Sequence, residues 1–411
     1  MATSTRTYLT TDWSLWVYTP VAGKFRLNFS LLNGTDVLSS TDGTMSISEA
    51  EITNIQIDDG GELSSGSLAT FNVPTASIGI KMIDFTKSML AEYYPGKRIA
   101  ITLKNQANAA GSNTTYGYNS VIFNGTITDT QLDLDPITNI AQVSLTATDY
   151  LASILNSQIT LVKNTTTDKG TLLTDKLNEL DASFSSDIPS YSFLLGGLDT
   201  HYGAAATVTD TVGNFLDDFY ISEVGFPAYY LLEQAGPFAA NASTTVTIGG
   251  GVSNQTVSGS QISNIQIGNN AATVPTNFEL SATNGATLNI NSNVSSNAYN
   301  TINYSTTVDV LNTTELLGIY TKMTAIEPEI FPSTIEVVLA KNFQPVTYTN
   351  FQPLYTGTKW YPDGYQFTGS SIVADLSQWG FSSTEAMIVT GKSMQVTTED
   401  FRIIYTVTKG P

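Results

Sequence analysis

The chain has no cysteine and a single histidine, so disulfides, thiolate catalysis and cysteine-ligated metal sites are excluded, and a zinc site or a serine-histidine triad lacks its parts. Charge is also scarce: Asp, Glu, Lys and Arg make up 13% of the 411 residues, about half of the ~25% usual for soluble domains. Basic residues are the rarer sign, with 17 Lys and Arg against 36 Asp and Glu, a formal net charge of −19. Sequence-specific binding to nucleic acid has no electrostatic support, nor has binding to an anionic membrane. No run approaches the ~18 apolar residues of a membrane-spanning helix, and the opening Met1-Ala2-Thr3-Ser4-Thr5-Arg6 is not a basic segment followed by an apolar one. These features predict a chain with neither a secretory leader nor a membrane-spanning segment.

Present instead are apolar residues at 41%, together with abundant Thr, Ser, Asn and aromatics. That balance favours strands, loops and protein-protein surfaces. Short alternating runs mark strands at Leu15–Tyr18, Lys24–Phe29, Ile52–Ile57, Leu68–Val73, Arg98–Leu103, Val121–Asp129 and Gln142–Asp149. Asp42-Gly43 and Asp58-Asp59-Gly60-Gly61 read as breaks, and residues 106–119 as a polar loop. The spacing over Ile78 to Tyr94 predicts one helical crossover, so residues 1–155 are expected to form a compact β unit, a small split barrel or sandwich.

From Asp149 the pattern changes. Helical patterns at Tyr150–Leu155, Gly170–Leu180 and Thr209–Phe219 predict a mixed α/β segment over 156–235. Residues 236–300 are rich in Gly, Asn, Ser and Thr, and Val246–Ile248 and Ile262–Ile267 predict an inserted β module there. Over 301–411, a helix at Thr313–Met323 precedes strands at Ser333–Leu339, Ile388–Met394 and Phe401–Thr408. The fold class expected is mainly β with some α, multi-domain: an N-terminal split β-barrel or sandwich followed by mixed α/β domains.

No constellation for chemistry emerges, and no catalytic, cofactor-binding or metal-binding residue is assigned. His201, in Asp199-Thr200-His201-Tyr202-Gly203, reads as a loop residue. Glu327 and Glu329 around Pro328, or Asp133 and Asp135 in a strand, would be needed for carboxylate-based glycoside hydrolysis, but solvated edge charges account for both pairs. Asp129-Thr130-Gln131-Leu132-Asp133-Leu134-Asp135 lacks the glycine turn and closing glutamate of a calcium loop. Gly249-Gly250-Gly251 is followed by neither Lys-Ser/Thr nor a helix and is a turn. The Asn-x-Ser/Thr triplets at Asn33, Asn124 and Asn164 are what a Thr- and Asn-rich chain produces by chance. Trp360-Tyr361-Pro362-Asp363-Gly364-Tyr365 is the kind of aromatic cluster that stacks on sugars, with an ordinary loop tip as the plainer explanation.

Several pieces recur in a shared order: Gly61-Glu62-Leu63, Ser67 to Val73, Tyr94-Pro95-Gly96-Lys97-Arg98-Ile99, Ile122-Phe123-Asn124-Gly125-Thr126-Ile127-Thr128-Asp129, and Val143 to Leu151. In the second half come Thr314-Glu315-Leu316-Leu317-Gly318-Ile319-Tyr320, the exit Glu327-Pro328, Ser333 to Val337 and a closing Ile388 to Thr408. This order resembles the minor tail proteins of long-tailed, siphovirus-type bacteriophages, especially those of actinobacterial hosts, which belong with tail-hub and baseplate-hub proteins. The resemblance covers roughly 50–155 and 205–411, apart from most of 236–300. It implies a non-enzymatic virion component made in the host bacterial cytoplasm. It also implies a hub joining the tail tube to the distal tip around the DNA channel, usually a homotrimer, with related distal-tail rings hexameric. The partners implied are further copies of the chain and the tail-tube, distal-tail and tip proteins, with no cofactor. A receptor-recognising or carbohydrate-binding tail protein is the alternative.

Overall fold

In a computed structural model of the chain, strands form where apolar and polar residues alternate. The structure describes residues 2–10, 13–20, 44–46, 50–60, 73–83, 85–87, 90, 93–105, 119–181, 190–195, 200–222, 229–233, 243–248, 255–257, 259–267, 277–291, 303–325, 332–338, 343–347, 358–362, 365–366, 371–397 and 401–409. The first strands are β1 (Ala2–Thr10), β2 (Trp13–Pro20), β3 (Thr44–Ser46), β4 (Ala50–Gly60), β5 (Thr75–Met82), β6 (Arg98–Asn105), β7 (Asn119–Asp135) and β8 (Ile140–Asp149). Helix α1 (Leu151–Leu155), β9 (Gln158–Lys163), α2 (Lys169–Asp181), β10 (Ser190–Leu195), β11 (Ala206–Thr211) and α3 (Val212–Ser222) follow. Next are β12 (Tyr229–Glu233), β13 (Ser243–Ile248), β14 (Gln255–Val257), β15 (Ile262–Ile267), β16 (Asn277–Ala282), β17 (Thr287–Asn291), β18 (Asn303–Val308) and α4 (Thr313–Ala325). Then come β19 (Pro332–Val338), β20 (Phe343–Thr347), β21 (Thr358–Pro362), β22 (Ser371–Ala374), β23 (Glu385–Thr397) and β24 (Phe401–Lys409). The fold is mainly β with some α, in several sheets and more than one core.

One sheet dominates, in the order β15-β19-β24-β23-β4-β5-β8-β7-β6-β2-β1-β3, with β22 attached to β23 and β14 to β22. Its core face follows from period two: in β8, Ala141, Val143, Leu145 and Ala147 are buried while Gln142, Ser144 and Thr146 are exposed. Strands from both ends of the sequence meet in its middle. Asp58 and Asp59 of β4 pair with Ser393 and Lys392 of β23, and Ile57 with Met394. Residues before 155 therefore share one sheet and one core with Ile335, Val396, Ile403 and Tyr405, instead of closing on themselves.

A second core lies after Asp149, where α1, α2 and α3 bury Leu151, Ile154, Leu173, Leu177, Phe215, Leu216 and Phe219 beside the β9–β11 pair. Asp168 caps α2, its carboxylate accepting the Thr171 N–H at 2.7 Å. A third, smaller core joins β16–β18 to α4 through Leu280, Val308, Leu316 and Ile319. Asn312 caps α4 by accepting from the N–H groups of Thr314 and Glu315.

Four expectations change. The helical spacing over 78–94 is a strand at its start: Ile78, Ile80 and Met82 alternate on β5 and are all buried, and the partner strands β4 and β8 override the weak 3.6-residue pattern. Asp58–Gly60 does not break β4, because β23 supplies a partner for it. Thr209–Thr211 belongs to β11, and α3 starts at Val212. The described strands within 236–300 pair largely with strands outside that stretch. β13 pairs with β10 and β12, β14 with β22, β15 with β19, and β16 and β17 with each other and β18. The expectations placed on Lys24–Phe29, Asp42-Gly43, 61–72, 106–118, Gly249–Gly251 and Glu327–Glu329 lie outside the described residues.

Candidate functional site

The densest polar constellation forms where the second core meets the third. β9 ends at Lys163, α2 begins at Lys169, α3 carries Asp218, and Asp309 follows β18. Lys163 Nζ lies 2.8 Å from Asp309 Oδ2 and Lys169 Nζ 3.3 Å from Asp218 Oδ2. Both ammonium groups sit over the ring of buried Tyr202, 4.5 and 4.9 Å from its centroid. The other oxygen of Asp309 accepts from the Gly203 N–H at 3.0 Å and the Thr283 hydroxyl at 2.9 Å.

Burial sets the electrostatics. It pushes Lys169 below the ordinary lysine range, opposed by the attraction of Asp218 and Asp309. It also works to raise Asp309, but hydrogen bonds from Lys163, Gly203 and Thr283 outweigh it and hold the carboxyl below its ordinary value. Tyr202 is pushed up by burial and by the same two carboxylates. Each acid is committed to a cation or a donor, so the cluster ties chain segments about a hundred residues apart and leaves no poised acid-base pair.

His201 extends this joint. Its Nδ1 is 3.0 Å from Glu315 Oε1, its backbone N–H donates to Glu315 Oε2 at 3.3 Å, and its backbone bridges to Asp168. Glu315 also accepts from the Leu311 N–H at 2.9 Å. The histidine read as a loop residue thus fastens its loop to the start of α4.

A second buried ion pair lies in the large sheet. Lys392 Nζ is 3.4 Å from Asp59 Oδ2 and donates to the Tyr365 hydroxyl at 3.1 Å, with its charge 4.8 Å from that ring's centroid. Burial opposes the lysine's charge, but Tyr365 and Asp59 outweigh it and raise the group above its ordinary value. Tyr365 is 2% exposed, so this member of the 360–365 aromatic run belongs to the core. Trp360 and Tyr361 lie on β21, paired with Pro345 and Gln344, and Asp363 and Gly364 are outside the described residues.

The Asp129–Asp135 stretch is the end of β7. Asp135 accepts from the Ile137 N–H at 2.9 Å and the Thr138 hydroxyl at 2.6 Å, which lowers its pKa and fixes the turn into β8. Among the described residues, no three His, Asp or Glu side chains converge as a metal ion would require. Asn124 is buried, and Asn164 accepts from the N–H groups of Thr166 and Thr167 ahead of α2.

Sequence reasoning missed Lys163, Lys169, Asp218, Asp309 and Lys392. A signal existed for the last: Lys392, Met394 and Val396 share one phase of β23, the phase that is buried. Nothing local marks the other four, whose partners are distant in sequence.

No known family profile matches the sequence, and no curated protein is similar to it in sequence. Solved structures are similar in fold. The tail protein from Neisseria meningitidis MC58 superposes with a TM-score of 0.53 at 11% identity, covering 87% of this chain and 92% of that one. The 43 kDa tail protein of prophage MuSo2 from Shewanella oneidensis gives 0.49 at 10% identity, covering 87% and 93%. An E. coli component of the type VI secretion system gives 0.47 at 8% identity, covering 88% and 74%. What the chain shares with the Neisseria protein is the fold, over nearly the whole of both.

Proposed function

We propose that this chain is a non-enzymatic structural subunit of a bacteriophage tail, the hub that joins the tail tube to the distal tip as a homotrimer. The observation that carries this reading is the end-to-end likeness of fold to the Neisseria tail protein. It is supported by the ordered pieces of sequence that resemble tail hubs, and by polar clusters spent on holding segments together. The partners are further copies of the chain and the tail-tube, distal-tail and tip proteins, and the protein resides in the virion.

The net charge of −19 fits a wall along which DNA passes. Duplex DNA carries about one negative charge per ~1.7 Å of axis, so a basic lining would bind many phosphates and stall ejection. An assembled tip is expected to line its channel with Asp, Glu, Ser, Thr or Asn, and rings of Lys or Arg there would contradict the hub role. The reading is tested directly by electron microscopy of particles labelled with an antibody to this chain. Axial label at the tip is expected, and peripheral label would place the chain among receptor binders. The mass of the purified complex separates three copies from six.

A further inference from the structure

We infer that β16, β17, β18 and α4 form one body, latched to the second core at one of its ends through Asp309 and Glu315, which swings away whole when that latch is broken. The topology gathers the latch at a single end. β16 runs antiparallel to β17 and parallel to β18, with Ala282 opposite Val308, so the β16–β17 turn, the end of β18 and the start of α4 lie together. Asp309 follows β18 there, and Glu315 stands in the first turn of α4. Asp309 takes Lys163 at 2.8 Å and the Gly203 N–H at 3.0 Å, while Glu315 takes the His201 N–H and ring nitrogen.

The two bodies do not share a core. Leu280, Val308, Leu316 and Ile319 pack on one another, as do Leu161, Tyr202, Phe215 and Phe219, and among the described residues these remain separate clusters although α3 lies near β18. The described pairing of β16, β17 and β18 is confined to these three strands. A contact built on charges and hydrogen bonds, without a large apolar interface, is one across which bodies move. Bonds inside the unit keep it whole at the latch: the Thr283 hydroxyl donates to Asp309, and the Asn284 amide to the Leu311 carbonyl. The fit across the joint is close, since a Cβ on Gly203 would stand 2.8 Å from the Thr283 hydroxyl and from the Val310 carbonyl oxygen. Lys163 and Asp309 are 15% and 17% exposed, so removing the lysine strands a carboxylate that regains water by opening the joint.

The inference goes beyond the tail reading and is tested on the isolated full-length chain, so either can fail without the other. Hydrogen exchange is followed by mass spectrometry in Lys163→Met, Asp309→Asn and Gly203→Ala; the first two break the charge pair from opposite sides, and the third wedges the joint. Peptides carrying His201 and residue 203 are expected to exchange about a hundredfold faster than in wild type, as loss of one partner of a buried pair would give, while peptides from 277–291 keep their protection. Asn178 on α2 and Asn289 on β17 are exposed, and the chain has no cysteine, so Asn178→Cys and Asn289→Cys take nitroxide labels at these two places alone. One label distance is expected in the wild-type background and a second, longer one when Lys163→Met and Gly203→Ala are combined. Equal acceleration over 277–291 would mean that the unit melts with its joint, and an unchanged label distance that the joint frays without movement. Either result overturns the inference, as does wild-type exchange at His201 in all three variants.

Discussion

At the scale of single residues, Lys392 and Asp59 compensate each other's charge in the core, where their side chains are 5% and 9% exposed, and Tyr365 adds to the support of the lysine. Replacing Lys392 by Met leaves a carboxylate with little access to water, and the expected loss is about 3 kcal/mol by urea unfolding. Asp59→Asn in the same chain should restore most of it, since no uncompensated charge then remains. Tyr150 gives a pH signature. Burial pushes its phenol up to about 12, opposed by Arg98, whose Nε donates to the hydroxyl at 2.8 Å. Between the ordinary value near 10 and about 12 the folded chain keeps a proton that the unfolded chain has lost. Stability is therefore unaffected below pH 10 and falls as pH rises through that window, and Tyr150→Phe should flatten the fall in thermal melts across it. Little of this was legible in the sequence, because a buried charge is recognised by its partner, and Asp59 and Lys392 stand at opposite ends of the chain.

At the scale of elements, Phe123-Asn124-Gly125 shows what a short pattern records. β7 and β8 run so close at Gly125 that a Cβ there would stand 2.2 Å from the Thr148 carbonyl oxygen. Gly125→Ala is expected to cost about 2 kcal/mol through forced separation of the two strands, read as a lowered urea midpoint with an unchanged slope. Strands and helices with clear periods were legible: Ile52–Ile57, Arg98–Leu103, Gly170–Leu180 and Thr313–Met323 all fall within elements of the expected type. The helix expected over 78–94 did not form at its start, since Ile78, Ile80 and Met82 keep a period of two, and on a helix Ile80 would stand on the face opposite Ile78. The continuation of β4 through Asp58-Asp59-Gly60 was hidden because its partner lies more than three hundred residues away.

At the scale of the whole molecule, the sequence suggested units laid end to end, with residues 1–155 the first. The large sheet instead runs from the N-terminal strands to the C-terminal ones, and β4 and β23 adjoin at its centre. Such pairing is costly in loop entropy and slow to form, because little is gained until both ends of the chain are present. A fragment ending at 155 retains β4, β5 and β8 but loses β23, β24 and β19, so Ile55 and Ile57 lose the neighbours that complete their core and the outer edge of β4 opens. Expressed alone it is expected to aggregate or to show no cooperative thermal transition by circular dichroism. Co-expression with residues 156–411 should return a soluble complex of the two pieces, because the edge and the core are then re-formed between them. A cooperative, monomeric 1–155 fragment would mean that the N-terminal strands hold their own core and that β23 only adds to a finished sheet.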